Sequence, residues 1–255
     1  MRCRLFILAG AVLAGLGATA ASQAAAPARN PYEACLARVQ TDPAGALALS
    51  ESWARTGGGG AADHCAALAL AGLGRYPEAA AKLDALARGG FATNPAARMD
   101  LYDQAGNAWL LAARPDSAVA SFSAALAIDP LDADLLSDRA RAFAVKRNWA
   151  KAESDLTAAL LVSPDRADLY VLRGSARHAQ GRKADARIDF DRALKLQPNN
   201  PDALVERGTT KFEAGDVAGA RADWQQVVTY YPGSAAADTA RQHLADSAPA
   251  TPTRP

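Results

Sequence analysis

The chain has 255 residues, of which 50% are hydrophobic, and its 28 lysines and arginines nearly balance its 27 aspartates and glutamates. This apolar content is sufficient for one elongated domain. The near-neutral charge gives no electrostatic case for binding to nucleic acid or to an anionic membrane surface. We therefore expect no nucleic-acid partner.

Residues 1–26 are predicted to form a secretory signal peptide. Two arginines precede a short apolar run from Leu5 to about Leu16, and small residues follow as far as Ala26. This order is typical of a signal peptide, with cleavage between about Ala20 and Ala26. The apolar run is shorter than the roughly 20 residues of a transmembrane helix, although a retained anchor remains the alternative. We expect an exported mature chain without a transmembrane segment, in the bacterial periplasm or secreted.

Residues 27–98 are predicted to form degenerate helical repeats. One helix begins near Tyr32, and a second begins at Pro43 with Asp42 as its N-cap, since aspartate favours the cap and proline the first helical position. The glycine run 57–60 predicts a flexible break after that helix. Two further helices follow, separated by a turn at Gly74.

Cys35 and Cys65 are the two cysteines that remain after export. An even pair in an oxidising compartment favours a disulfide. Their spacing places them at similar points on the first helices of neighbouring units, and a bridge there would add roughly 3–4 kcal/mol to stability. Two buried free thiols are the alternative. A catalytic redox pair would more usually have the C-x-x-C spacing.

Residues 99–234 carry one pattern four times without a gap, at 34-residue intervals. A small residue, a large apolar residue and a terminal proline recur in each unit. They are Gly106, Ala140, Gly174 and Gly208; Phe122, Leu156, Phe190 and Trp224; and Pro130, Pro164, Pro198 and Pro232. Small residues let two helices approach closely, and proline stops the second helix. A period of this length indicates an array of helical hairpins.

This pattern resembles the tetratricopeptide repeat (TPR) family over a little more than half of the chain. The best match is residues 167–200, with Tyr170 near the start and Gly174 at the helix crossing, whereas Arg173 and Lys183 depart from the family pattern. The resemblance implies an all-α, right-handed TPR solenoid of about six antiparallel helix pairs. It also implies that the first helices line a concave face where an extended peptide or a helix binds.

Mapped onto this sequence, the resemblance places a candidate partner groove on the first helices. Its residues are Asp103, Asn107, Ser137, Arg141, Val171, Ser175, His178, Val205, Thr209 and Phe212. Asp134, Asp168 and Asp202 add an acidic rim that suits a basic or neutral segment. The same aspartates are equally explained as caps of the first helices. A family branch grips C-terminal carboxylates with basic and amide side chains, but only Asn107 and Arg141 fit, so such a ligand is not expected.

A second periodic pattern consists of charged residues. An arginine precedes the small crossing residue in three units, and an aspartate follows on the second helix: Arg139, Arg173 and Arg207, with Asp155, Asp189 and Asp223. A guanidinium offers a planar fork to a carboxylate. Because these pairs follow the scaffold period, they predict structural ion pairs, within a hairpin or between neighbours, in preference to a ligand site.

The C-terminal part predicts a capping helix over residues 235–246, which would cover Trp224 at the end of the array. Residues 247–255 are rich in proline and small polar residues, which predicts a disordered tail.

The sequence contains no recognisable catalytic, cofactor-binding or metal-binding motif. The three histidines lie in distant units without zinc spacing, and no nucleophile elbow or phosphate loop is present. We therefore expect no enzymatic activity, no cofactor and no metal. The favoured function is an exported scaffold or adaptor, monomeric or weakly oligomeric, that binds a protein or peptide partner within the cell envelope. An accessory subunit or regulator of an envelope enzyme and a self-assembling structural protein are the alternatives.

Overall fold

The computed structural model describes residues 30–247, and within that range the chain forms thirteen α-helices and no strand. The helices are α1 (Pro31–Val39), α2 (Pro43–Arg55), α3 (Gly59–Gly72), α4 (Tyr76–Arg88), α5 (Pro95–Leu111), α6 (Pro115–Leu126), α7 (Ala133–Val145), α8 (Trp149–Val162), α9 (Ala167–Ala179), α10 (Lys183–Leu196), α11 (Pro201–Glu213), α12 (Val217–Tyr230) and α13 (Ala235–Asp246). The predicted signal peptide and the tail after Ser247 lie outside the described residues. No helix between residues 30 and 247 is both long enough and apolar enough to cross a membrane.

The helices pack as six consecutive hairpins, from α1 with α2 to α11 with α12. Each second helix also packs against the first helix of the next hairpin, and first helices touch each other directly, as α9 and α11 do. The last helix, α13, packs on α11 and α12. This arrangement confirms the predicted all-α solenoid of helix pairs with a C-terminal capping helix.

Each hairpin is closest at the small residue of the repeat, as predicted. A Cβ atom added to Gly106 or Gly174 would lie 2.5 Å from the phenylalanine ring of the second helix, and one added to Gly208 would lie 2.4 Å from Trp224. In the remaining unit Ala140 and Leu156 hold the same two positions, and both are buried. Alanine, which is larger than glycine, is therefore paired with leucine, which is smaller than phenylalanine or tryptophan.

The predicted arginine–aspartate pairs form within the hairpins. Each guanidinium donates through Nε and Nη2 to both carboxylate oxygens, at 2.8 and 2.8 Å for Arg139–Asp155, 3.0 and 2.7 Å for Arg173–Asp189, and 2.9 and 2.8 Å for Arg207–Asp223. Asp189 is only 1% exposed and also accepts from Arg177 at 2.9 Å. Planar, two-point pairing of a partly exposed guanidinium with a buried carboxylate accounts for the recurrence of arginine at this position.

The unit that lacks this pair uses a different contact between hairpins. Ser121 Oγ and Trp109 Nε1 each donate to the carboxylate of Asp84 on α4, at 2.9 Å. The polar link therefore joins α5 and α6 to the preceding hairpin. Nothing in the repeat pattern indicates that Asp84 makes these contacts in place of an arginine–aspartate pair.

The N-terminal hairpins agree with the prediction at α2 and differ at α3 and α5. Asp42 caps α2 by accepting from Gly45 N at 2.8 Å, with Pro43 as its first residue. The predicted break at 57–60 is wrong in its second half, because α3 begins at Gly59. Helix α5 begins at Pro95, about one turn before the predicted repeat array at residue 99, because Asn94 caps it by accepting from Ala97 N at 2.7 Å.

Cys35 and Cys65 are joined by a disulfide between α1 and α3, with Cα atoms 6.2 Å apart. Both side chains are fully buried. The terminal helix α1 has a hairpin neighbour on one side only, so this covalent link holds it where packing is thinnest.

The other end of the array is closed by packing. Trp224 is 1% exposed, and its ring stacks on His243 of α13 with centroids 4.9 Å apart. The indole Nε1 donates to the carbonyl oxygen of Val205 at 3.2 Å. The prediction that α13 covers Trp224 is confirmed.

Candidate functional site

The first helices α7, α9 and α11 enclose an acidic cavity with a volume of about 370 Å³. Four aspartates and two arginines line it, together with polar and apolar side chains. The lining residues are Asp134, Ser137, Asp138, Arg141, Arg166, Asp168, Val171, Leu172, Asn200 and Asp202. We call this cavity and the adjoining face of α5 the acidic groove.

The structure brings some of the predicted groove residues together. Ser137, Arg141 and Val171 line the cavity, and Asp103 and Asn107 on α5 connect to it through Asp138. The other predicted residues lie outside this lining: Ser175, His178, Val205, Thr209 and Phe212. Among these, Val205 is only 8% exposed and belongs to the hydrophobic core.

Asn107 links two carboxylates across neighbouring hairpins. Its Nδ2 donates to Asp103 Oδ1 at 3.1 Å and to Asp138 Oδ2 at 3.4 Å. Arg141 Nη1 donates to Asp138 Oδ1 at 3.4 Å from the exposed side. One amide group therefore holds two acidic side chains close together, and a single exposed guanidinium, that of Arg141, partly neutralises them.

Asp103 experiences this crowding most strongly. Burial, followed by repulsion from neighbouring carboxylates of which Asp138 is the first, raises its pKa from 3.8 to about 6. Asp132, Asp100 and Asp134 also contribute. Each of these groups disfavours the charged form of Asp103, so a cation bound here would relieve the repulsion.

Arg166 bridges two hairpins at the entrance of the groove. It donates to Asp134 on α7 and to Asp168 on α9, the latter at 2.6 and 3.2 Å. This guanidinium holds the pKa of the Asp168 carboxyl below its ordinary value. The acidic rim is predicted from the sequence, but the pairing of Arg166 with two of its aspartates is not.

The alternative role of the aspartates as helix caps is wrong. Asp132 caps α7 and Asn200 caps α11, while the residue before α9 makes no capping hydrogen bond. Asp134, Asp168 and Asp202 lie instead within the first turns. There they interact favourably with the positive end of the helix dipole. Asp134 and Asp168 also pair with Arg166, and Asp202 lines the same cavity.

The C-terminal end of the concave face carries mixed charges. His178 Nε2 bonds Glu213 Oε2 at 2.8 Å, and Lys183 Nζ lies 2.9 Å from the same oxygen. The hydrogen bond from His178, followed by that from Lys183, lowers the pKa of Glu213. Burial raises the pKa of Glu206 on the same helix. This end is therefore closer to neutral than the acidic groove.

The chemistry available in the groove is the binding of positive charge. Within residues 30–247 no group of three or more histidine, cysteine, aspartate or glutamate side chains could hold a metal ion. The acidic groove offers carboxylate acceptors at the first turns of α7, α9 and α11, with Val171 and Leu172 providing apolar surface between them. Such a surface can accept ammonium or guanidinium groups along an extended ligand.

Comparison with known proteins identifies the repeat. Two models of the tetratricopeptide repeat match residues 137–201 and 202–234. No curated protein sequence matches the chain. Among solved structures, the crystal structure of MamA superimposes with a TM-score of 0.56 at 15% identity, covering 64% of this chain and 92% of that chain.

Two further structures give the same fold. A thermophilic TPR protein from Thermus thermophilus has a TM-score of 0.55 at 18% identity, over 71% of this chain and 94% of that chain. The APC/C hetero-tetramer Cut9–Hcn1 has a TM-score of 0.60 at 14% identity, over 86% of this chain and 42% of that chain. Residues 137–234 therefore belong to the tetratricopeptide repeat family, and the hairpins that precede them continue the same architecture.

Proposed function

We propose that this protein is an exported scaffold of the cell envelope, and that it binds a basic segment of a partner polypeptide along the acidic groove. TPR proteins are generally protein-interaction scaffolds without catalytic activity. The observation that carries the proposal is the set of four aspartates, Asp134, Asp138, Asp168 and Asp202, around one cavity that holds only two arginines.

The electrostatics of the groove favour a cationic ligand over an anionic one. Asp103 and Asp138 share one amide donor, and the pKa of Asp103 rises to about 6 because burial and neighbouring carboxylates oppose its charge. A lysine or arginine side chain placed between them would supply the missing counter-charge. An anionic segment would add to the repulsion and would have to displace Arg141 or Arg166 from its aspartates.

Two features support export. The N-terminal sequence has the order of a signal peptide, and Cys35 and Cys65 form a disulfide, which persists in oxidising compartments. Fractionation of cells expressing the full chain should therefore recover a shortened protein in the periplasm. Alkylation of that protein without reductant should find no free thiol. A cytoplasmic, full-length protein with free thiols at all three of its cysteines would contradict export.

Binding is best tested with two labelled peptides of about twelve residues, one made of lysine, glycine and serine and the other with glutamate in place of lysine. Fluorescence anisotropy should show that the lysine peptide binds the mature protein and the glutamate peptide does not. Asp134→Asn combined with Asp138→Asn should weaken binding roughly tenfold, about 1.4 kcal/mol. Asp238→Asn combined with Asp246→Asn on α13 changes the net charge equally and is the matched control.

The groove would be rejected as the binding site if the control variant lost as much affinity as the groove variant, since general charge would then explain the binding. Equal affinity for the lysine and glutamate peptides would reject the chemistry of the proposed ligand. Measurement near physiological ionic strength keeps long-range attraction small, because the screening length there is about 8 Å.

A further inference from the structure

A second cavity, of about 270 Å³, lies at the N-terminal end of the concave face. Its walls are the aromatic rings of Tyr32 on α1, His64 on α3 and Phe91 in the segment that joins α4 to α5. Asp100 and Gln104 on α5 close the remaining side. Among the described residues that line this cavity, Asp100 is the one charged side chain.

Hydrogen bonds fix the orientation of two of the rings. The Tyr32 hydroxyl donates to His64 Nδ1, and His64 Nε2 donates to Gln104 Oε1 at 3.1 Å. Because the amide oxygen can only accept, His64 carries its hydrogen on Nε2 and accepts the tyrosine proton at Nδ1. The network spans three hairpins, so the position of each wall depends on the others.

Packing and the disulfide hold the walls in place. Tyr32 lies one turn before Cys35, and His64 directly precedes Cys65, so the bridge ties the two ring-bearing helices together. Phe91 packs against Gly60, where an added Cβ would lie 2.2 Å from the ring. The centroids of Tyr32 and Phe91 lie 5.9 and 6.2 Å from that of His64. The three rings therefore form a preorganised aromatic wall.

The cavity borders helix α5, which also contributes Asp103 and Asn107 to the acidic groove. Asp100 is one of the carboxylates that act on Asp103, which in turn connects to Asp138. Aromatic faces carry the negative part of the ring quadrupole and attract cations. A guanidinium is planar, stacks on aromatic rings and presents a fork to a carboxylate such as that of Asp100. Its weak hydration relative to an ammonium favours it in a partly enclosed site.

We propose that this aromatic cavity is a subsite for an arginine side chain of the bound polypeptide, with the guanidinium against the rings and Asp100. The proposal deepens the proposed function and rests on it, because it assigns one anchor residue to the ligand. It adds a specificity that the acidic groove alone lacks, since carboxylates accept lysine and arginine alike.

The test uses N-acetyl-arginine methylamide as the probe and NMR of the mature, disulfide-bonded protein as the readout. The His64 and Phe91 ring resonances should move with increasing probe. The citrulline analogue has nearly the same shape without the charge, and the norleucine analogue is apolar. Both should bind at least about tenfold more weakly, a difference of about 1.4 kcal/mol.

Two substitutions of the same chemistry separate this subsite from nearby charge. Asp100→Asn should weaken the arginine probe roughly tenfold, again about 1.4 kcal/mol. Asp63→Asn is the control, because Asp63 lies on the other side of Phe91, pairs with Lys82 at 2.8 Å and does not line this cavity. Its affinity for the probe should be unchanged.

Equal shifts with citrulline or norleucine would overturn the proposal, because they would identify an apolar pocket. Shifts confined to the neighbourhood of Asp103 and Asp138 would also overturn it, while leaving the acidic groove as a cation site. Absence of any shift at His64 and Phe91, with retained binding of the lysine peptide, would remove the subsite and leave the proposed function intact.

Discussion

Replacing Gly174 with alanine tests the size matching between the two helices of a hairpin. The added Cβ would lie 2.5 Å from Cε1 of Phe190, and Phe190 is fully buried. The ring can yield only by displacing its neighbours, and overpacking of this kind costs about 1–3 kcal/mol. Alanine returns about 1 kcal/mol because it is a better helix former than glycine. The single variant should therefore lose about 0–2 kcal/mol.

The unit with Ala140 and Leu156 indicates how the clash can be relieved. Phe190→Leu alone leaves unfilled space and should lose about 1–2 kcal/mol. In the double variant with Gly174→Ala, the new methyl group enters the space that the ring has left. The helix propensity of alanine contributes equally in both backgrounds and cancels. A double-mutant cycle should therefore return a coupling energy of about 1–3 kcal/mol.

Urea unfolding followed by far-UV circular dichroism supplies the four free energies of this cycle. Ser175→Ala, at the next position of α9, is the control for a small change without a steric clash. The denaturant slope must stay constant, since a changed slope would mean that the units had uncoupled. A coupling below about 0.5 kcal/mol, the usual error of additivity, would refute the size-matching argument.

Reducing the Cys35–Cys65 bridge should lower the stability of the N-terminal hairpins by about 3.6 kcal/mol, because the unfolded chain regains conformational entropy. Amide hydrogen exchange in α1 should therefore accelerate while exchange in α9 stays constant. A uniform acceleration would contradict a local role. Asp189→Asn should cost about 3 kcal/mol in urea unfolding, because it removes the counter-charge of Arg173 and one of the two carboxylates that Arg177 contacts. Asp191→Asn, whose side chain is 45% exposed, should cost less than about 1 kcal/mol. Equal losses would disprove the distinction. Asp103→Asn should raise the melting temperature near pH 7.5 and leave it unchanged near pH 4. The folded pKa of about 6 lies above the ordinary 3.8, so the wild type loses stability as the pH rises between them; the same gain at both pH values would exclude this cause.

The periodic part of the molecule could be predicted because its residues repeat. Gly174 and Phe190 have counterparts in every unit, so aligning the units identifies the helix crossing and the apolar residue that fills it. The pairing of Arg173 with Asp189 follows from the same register. Equivalent positions of each repeat are expected to make equivalent contacts, so these contacts can be predicted without knowing the backbone coordinates.

Contacts that occur once could not be predicted in this way. Tyr32, His64 and Gln104 lie in three hairpins and have no counterparts elsewhere, so no register brings them together. Aspartate is a favoured N-cap residue, which makes Asp134 a candidate, but Asp132 has the extended backbone that a cap requires. These two aspartates are only two residues apart. Which of them is the N-cap depends on the backbone angles at the start of α7, and the residue types do not determine those angles.

The spacing of the first helices also constrains the conformation of a peptide that lies across them. First helices that pack directly, such as α9 and α11, are expected to have axes about 8–10 Å apart. A polyproline II peptide has three residues per turn and advances about 3.1 Å per residue, so it would present about every third side chain to successive first helices. Binding would therefore favour a ligand with a cationic residue at every third position. In an uninterrupted basic tract, the residues between these positions would add nothing to binding.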